Sequence, residues 1–222
     1  MTTLLKNKFA VLILFIVLGC LLLVSLLITK DKHIENYLSA EKVEELRHEY
    51  PIYNKDPDFL STRPLAFEEI MGGVDSIVIG YIDEVLPSYQ ISLPLVGESD
   101  KAIYEKNKAL GFDQKDEFIQ RKLKVEKLVA GAPVNDEVIL SLNAMFKDIE
   151  PQFKTGMKIL IALEKGNYMH EGKYFFSRYG TYYIVEENYV LPAYEKVDYD
   201  SKKLTGASLD QLITTIQSVR ED

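Results

Sequence analysis

The chain has 222 residues, one cysteine and a formal charge of −8. Only Lys6 and Lys8 of its basic residues precede residue 30, so the remainder sets 24 Lys and Arg against 34 Asp and Glu. Such an acidic surface repels a phosphate backbone, which makes nucleic acid and anionic headgroups poor partners, and a single cysteine excludes any intramolecular disulfide.

From Phe9 to Thr29 the sequence runs 21 residues without a charge. As a helix this stretch is roughly 30 Å long, the thickness of a bilayer core. Lys6 and Lys8 on one flank, against the mixed charges of Lys30 to Glu35 on the other, predict a single-pass anchor with its N-terminus in the cytoplasm and the rest outside. Two alternatives compete. Val17-Leu18-Gly19-Cys20 has the outline of a bacterial lipobox, which would place a lipid on Cys20, and the run could also be a cleaved signal. Leu18 stands where a small residue is usual, and Leu21 to Ile28 stays apolar where a lipoprotein turns polar. Both features favour the uncut span.

Residues 30–64 read as a tether. Ser39 caps a short exposed helix beginning at Ala40, and Pro51, Pro57 and Pro64 then prevent a long regular element. The aromatics of this stretch, Tyr50, Tyr53 and Phe59, are expected to lie against the domain. The extracytoplasmic domain is assigned to residues 65–222. A helix from Leu65 to Met71 ends at Gly72-Gly73, and a β-branched strand from Ser76 to Leu86 follows, bent at Gly80. Pro87 to Glu117, carrying a helical piece over Ser99 to Leu110, reads as a long loop, dispensable for folding.

Further strands are expected over Phe118–Val129, Glu137–Leu142, Met157–Leu163, Lys173–Tyr179, Thr181–Val185 and Tyr189–Leu191, with a hairpin turn at Glu187-Asn188. Met157–Leu163 is almost continuously apolar, the pattern of a strand buried on both faces. Ser208 caps a last helix whose Leu209, Leu212, Ile213, Ile216 and Val219 form one stripe, expected to close an open end of the sheet. These elements predict a mainly β fold with flanking helices, in which the anchor precedes one small antiparallel barrel.

A resemblance supports that architecture. Val74-Asp75-Ser76-Ile77-Val78-Ile79-Gly80-Tyr81-Ile82, Leu123 to Gly131, Gly156 to Leu163 and Tyr179-Gly180-Thr181-Tyr182-Tyr183 together resemble a widespread group of uncharacterised bacterial surface domains, over roughly Leu65 to Ala193. Ala130 departs from the group's Lys, and Ile161-Ala162 from its Leu-Phe. The resemblance implies an OB-like barrel outside the membrane of a Gram-positive bacterium and implies no chemistry.

Function is less legible. His33, His48 and His170 are scattered, so no metal site or cofactor is expected, and Cys20 lies in the apolar run, far from any histidine. No catalytic residue is assigned. The aromatic run from Tyr168 to Tyr194 supplies both core and cross-strand pairs, and from it Tyr168, Tyr179 and Tyr182 are the candidates for a binding face, with Pro87–Glu117 as companion surface. The expected function is a membrane-anchored extracytoplasmic binding or interaction module for an envelope protein, peptide or glycan. A cell-envelope hydrolase and an ectodomain subunit of a sensory complex are the alternatives.

Overall fold

A computed structural model describes residues 37–56, 65–92, 98–109, 115–196 and 200–221. The expected span Phe9–Thr29, Cys20 and Phe59 lie outside the described residues. Among those described, no helix is long and apolar enough to cross a membrane.

The fold is mainly β, seven strands with a few helices: β1 (Ser76–Ser92), β2 (Lys115–Gly131), β3 (Glu137–Asn143), β4 (Lys158–Lys165), β5 (Lys173–Phe175), β6 (Thr181–Val185) and β7 (Tyr189–Pro192). The helices are α1 (Ala40–Arg47), α2 (Phe67–Gly73), α3 (Glu98–Ala109) and α4 (Leu209–Glu221). Strand order is β1-β2-β3-β5-β4-β6-β7, and β1 also pairs with β4. All pairings are antiparallel except β3 with β5. The first half of β1 is thus bonded on both edges, Ser76–Tyr81 facing β4 while also facing β2. Gly80 makes this possible, because a Cβ there would stand 2.3 Å from the Lys124 carbonyl oxygen. The strand register shifts at that point, as a glycine bend allows.

Two apolar clusters lie on opposite faces of the β1–β4–β6 region. On one, Ile77, Ile79, Leu160, Ala162, Tyr182 and Ile184 meet α2 through Phe67, Ile70 and Met71, and α4 through Leu212, Ile213 and Ile216. On the other, Val78, Leu123, Leu140, Ile159, Ile161, Tyr183 and Leu191 pack around Phe153 and Met157. Alternate residues of β4 therefore feed different cores, which is why its sequence shows no polar face. The stripe of α4 is buried as expected, but it lies beside α2 on a face of the sheet rather than closing an end. Ser208 Oγ accepts the Gln211 amide N–H at 3.2 Å, while the Gln211 side chain donates to Tyr37 Oη at 2.9 Å.

Two expected boundaries move. The compact unit begins at Tyr37, because α1 and the segment after it form a strap rather than a tether: Leu38, Val43, Leu46, Tyr50 and Tyr53 pack on the second core. Main-chain bonds Leu38 N to Gly206 O (2.7 Å) and Tyr53 N to Ala193 O (2.8 Å) hold its two ends. The second change concerns Pro87–Glu117. Both strands continue into it, with Tyr89 opposite Phe118 and Ser92 opposite Lys115, so its root belongs to the sheet rather than to a loop. Pro87 is accommodated at an irregularity between Leu86 and Tyr89, where no ladder N–H is required. The β6–β7 turn contains the expected Glu187-Asn188 and is one residue longer, taking in Glu186, with Glu186 (φ 48°) and Glu187 (φ 68°) left-handed.

Candidate functional site at the Gly166–Gly172 loop

The connection from β4 to β5 is a tight loop, Gly166–Gly172. Gly166 N–H donates to Lys173 O at 2.8 Å, His170 N–H to Asn167 O at 2.9 Å and Glu171 N–H to Tyr168 O at 3.1 Å. A Cβ on Gly166 would lie 2.4 Å from the His170 carbonyl oxygen, so only glycine permits so close a crossing. Within this loop Tyr168 adopts φ 49°, a left-handed conformation costly for a residue with a Cβ. Its side chain gains nothing in return from the domain, being 89% exposed, and the next residue, Met169, is 48% exposed.

Behind the loop stands an aromatic cluster. His170 packs against Phe118 (4.6 Å between ring centroids) and Phe175 (4.8 Å), and Tyr89 stacks on Phe118 at 5.2 Å. Tyr89 Oη lies 2.8 Å from His170 Nδ1 and 2.9 Å from Ser141 Oγ. Assigning the tyrosine hydroxyl as donor to Nδ1 puts the imidazole proton on Nε2. Lys173 Nζ sits 4.6 Å from the centre of the Tyr89 ring. Burial, with the Lys173 charge second, pushes His170 below the ordinary histidine range, so the neutral imidazole is favoured at pH 7. The Ser141–Tyr89–His170 chain is not a nucleophile assembly. Ser141 has no exposed surface, and its oxygen meets Tyr89 rather than the imidazole that would activate it.

The three tyrosines expected to share a face are not brought together. Tyr168 is on this loop. Tyr182 is 0% exposed in the helix-side core, so it cannot present a ring to a ligand. Period-2 alternation assigns one residue of each strand pair to the outside, but β6 has a core on both faces, and Tyr182 and Tyr183 are both buried. Tyr179 is half-buried, stacked edge-on against Tyr194 at 4.6 Å, and its hydroxyl lies 3.0 Å from Arg178 Nη2. It serves the packing of that arginine.

Arg178 forms the other polar cluster, and the sequence offered no signal for it. Only 2% exposed, it donates to the carbonyl oxygens of Tyr53 (2.9 Å) and Lys55 and to Asp56 Oδ1 (3.2 Å), while its guanidinium lies about 5 Å from the rings of Tyr179 and Tyr194. Three of its acceptors belong to the strap. Asp56 is also paired with Lys196, whose hydrogen bond is the main cause holding the Asp56 carboxyl below its usual range. The Arg178 amide N–H donates to Glu150 Oε2 at 2.5 Å, and burial pushes the Glu150 carboxyl up to about 7 against that bond. A carboxyl so shifted would suit proton transfer. Glu150 itself, however, lines neither the cavity of about 10 Å³ at Pro151, Gln152 and Phe153 nor that of about 100 Å³ at Phe176 and Ser177. The cluster is a fastening for the strap.

Comparison with known proteins finds no matching family model and no matching curated protein. What can be said of function therefore rests on this chain's own geometry.

Proposed function

We propose that this protein is a membrane-anchored extracytoplasmic binding module, built on an OB-like barrel, that engages its partner through the Gly166–Gly172 loop and the root of the β1–β2 ribbon. The observation that carries the proposal is Tyr168: an aromatic side chain held almost wholly in water, on a strained backbone, by a loop whose own hydrogen bonds leave it little freedom. Strain persists where surrounding structure over-determines it, and such residues cluster at ligand contacts. A rigid exposed aromatic binds with little entropy to lose.

The barrel reading is supported by the pairing circuit β1-β2-β3-β5-β4, which returns to β1, and by the parallel β3–β5 pair. Barrels of this type bind through the connections after strands one and four. Here Tyr89 and Phe118, flanking the first of those connections, touch His170 in the second. Membrane anchorage is supported by the charge-free run Phe9–Thr29.

The test is a photo-crosslinking amino acid placed at position 168 of the full chain in its native membrane, with position 187 as the control. Glu187 is also exposed and also left-handed but lies in the β6–β7 turn. A discrete adduct at 168 and none at 187 is expected, and equal labelling would overturn the site. Anchorage is checked separately: the full chain should remain with membranes in alkaline carbonate, and a chain lacking residues 1–29 should not. A mass showing loss of residues 1–19 with a lipid on Cys20 would replace the span by a lipid anchor.

A further inference from the structure

Several lysines of the described surface are paired with acids. Lys42 meets Glu45 and Glu186 at 3.1 Å, Lys122 meets Asp83 and Glu84 at 3.0 Å, Lys158 meets Glu126, and Lys196 meets Asp56. Lys173, like Lys124 over the Tyr81 ring, is placed otherwise. It is half-buried, its ammonium is held over the Tyr89 ring, and no carboxylate among the described residues lies within ion-pair range. In a part of the chain with ten more acids than bases, a cation kept from acids beside the loop that displays Tyr168 calls for an explanation.

Its neighbour supplies one. With the Tyr89 hydroxyl assigned as donor to Nδ1 of His170, the imidazole N–H lies on Nε2, which has no hydrogen-bond partner among the described residues. Lys173 and His170 thus offer donors and no free acceptor, while Tyr168 and Met169 offer apolar surface. Sugar hydroxyls need acceptors as well as donors, so a donor-only pair suits a carboxylate better than a glycan. Methionine beside an aromatic ring adapts to varied side chains, a property of peptide-binding surfaces.

We infer that Lys173 and His170 receive a carboxylate of a peptide partner, and that Tyr168 and Met169 hold the apolar side chain next to it. This rests on the proposed binding face and names the chemistry of its ligand. The Lys173 ammonium supplies the charge-assisted bond, and with the Tyr89 hydroxyl donating to Nδ1 the imidazole presents its Nε2 N–H beside it.

The minimal probes are N-acetylphenylalanine, which carries both features, and N-acetylphenylalaninamide, which lacks the charge. Each is titrated into the full chain in detergent micelles while the Cε1–H resonances of His33, His48 and His170 are followed by NMR. The acid should shift the His170 resonance saturably and leave those of His33 and His48 in place, with the amide about tenfold weaker. Lys173→Met should remove most of the acid's advantage over the amide. Equal binding of the two probes to the unaltered chain, or no saturable shift at His170, overturns the carboxylate assignment. If the position-168 adduct nevertheless forms, only the ligand chemistry has failed; if it is missing as well, the binding face itself falls.

Discussion

The Arg178 cluster and the Gly166–Gly172 loop break opposite rules of protein construction. One buries a full charge; the other exposes an aromatic ring on a strained backbone. Around Arg178 the violation is repaired locally, because strap carbonyls, Asp56 and two tyrosine rings surround the guanidinium. Around Tyr168 nothing in the domain repairs it: the loop's hydrogen bonds hold the backbone in place and leave the ring in solvent. A violation that the fold compensates serves stability, and one that it maintains without compensation points to a partner.

That contrast can be tested by removing each feature in turn. Arg178→Met should have the largest effect, a loss of about 3–5 kcal/mol in urea or thermal unfolding, because the freed carbonyls of Tyr53 and Lys55 and the Asp56 carboxylate lose their donor. Arg178→Lys should recover little, since a single ammonium cannot span acceptors arranged around a planar fork. A loss under 1 kcal/mol for the methionine variant would show that the strap holds without its fastening.

Glu150 gives an effect of intermediate size with a definite sign. Its carboxyl is raised from 4.5 to about 7 in the folded chain, so the folded state binds the proton more tightly than the unfolded state does. Its contribution to stability is full below about pH 4.5 and is lost as pH rises through about 7. Glu150→Gln keeps an oxygen to accept the Arg178 N–H and removes the titration. Relative to the unaltered chain it should gain about 2–3 kcal/mol between pH 4 and pH 8, read as converging melting temperatures at pH 4 and separated ones at pH 8. Parallel curves would place the charge of Glu150 in solvent.

The smallest stability effects belong to the two strained sites, where the functional contrast should be sharpest. Tyr168→Gly and Glu187→Gly each relieve a left-handed backbone and should leave stability unchanged or raise it by up to about 1 kcal/mol. Only the first should abolish partner binding. A domain made no less stable, yet unable to bind, would separate function from folding at one residue. Loss of binding in both variants, or destabilisation by Tyr168→Gly alone, would return Tyr168 to a structural role.

Much of this domain was written locally. The β-branched run Ile77-Val78-Ile79, the double-faced apolar β4 and the stripe Leu212, Ile213 and Ile216 each carry their own period, and each appears as read. Period and turn chemistry depend on neighbours a few residues apart, so sequence determines them. What it could not determine was which face of each strand meets water, because that depends on layers contributed from elsewhere in the chain. The strap from Tyr37 and the helices α2 and α4 cover both faces of the central strands, burying Tyr182 with Tyr183 and leaving Tyr168 as the one exposed member of the three expected binding tyrosines. Contacts such as Arg178 with Tyr53, 125 residues away, have no local signature at all. A lone arginine in an aromatic run becomes a fastening only when folding brings the carbonyl groups of a distant segment to its fork, and that is decided by tertiary structure alone.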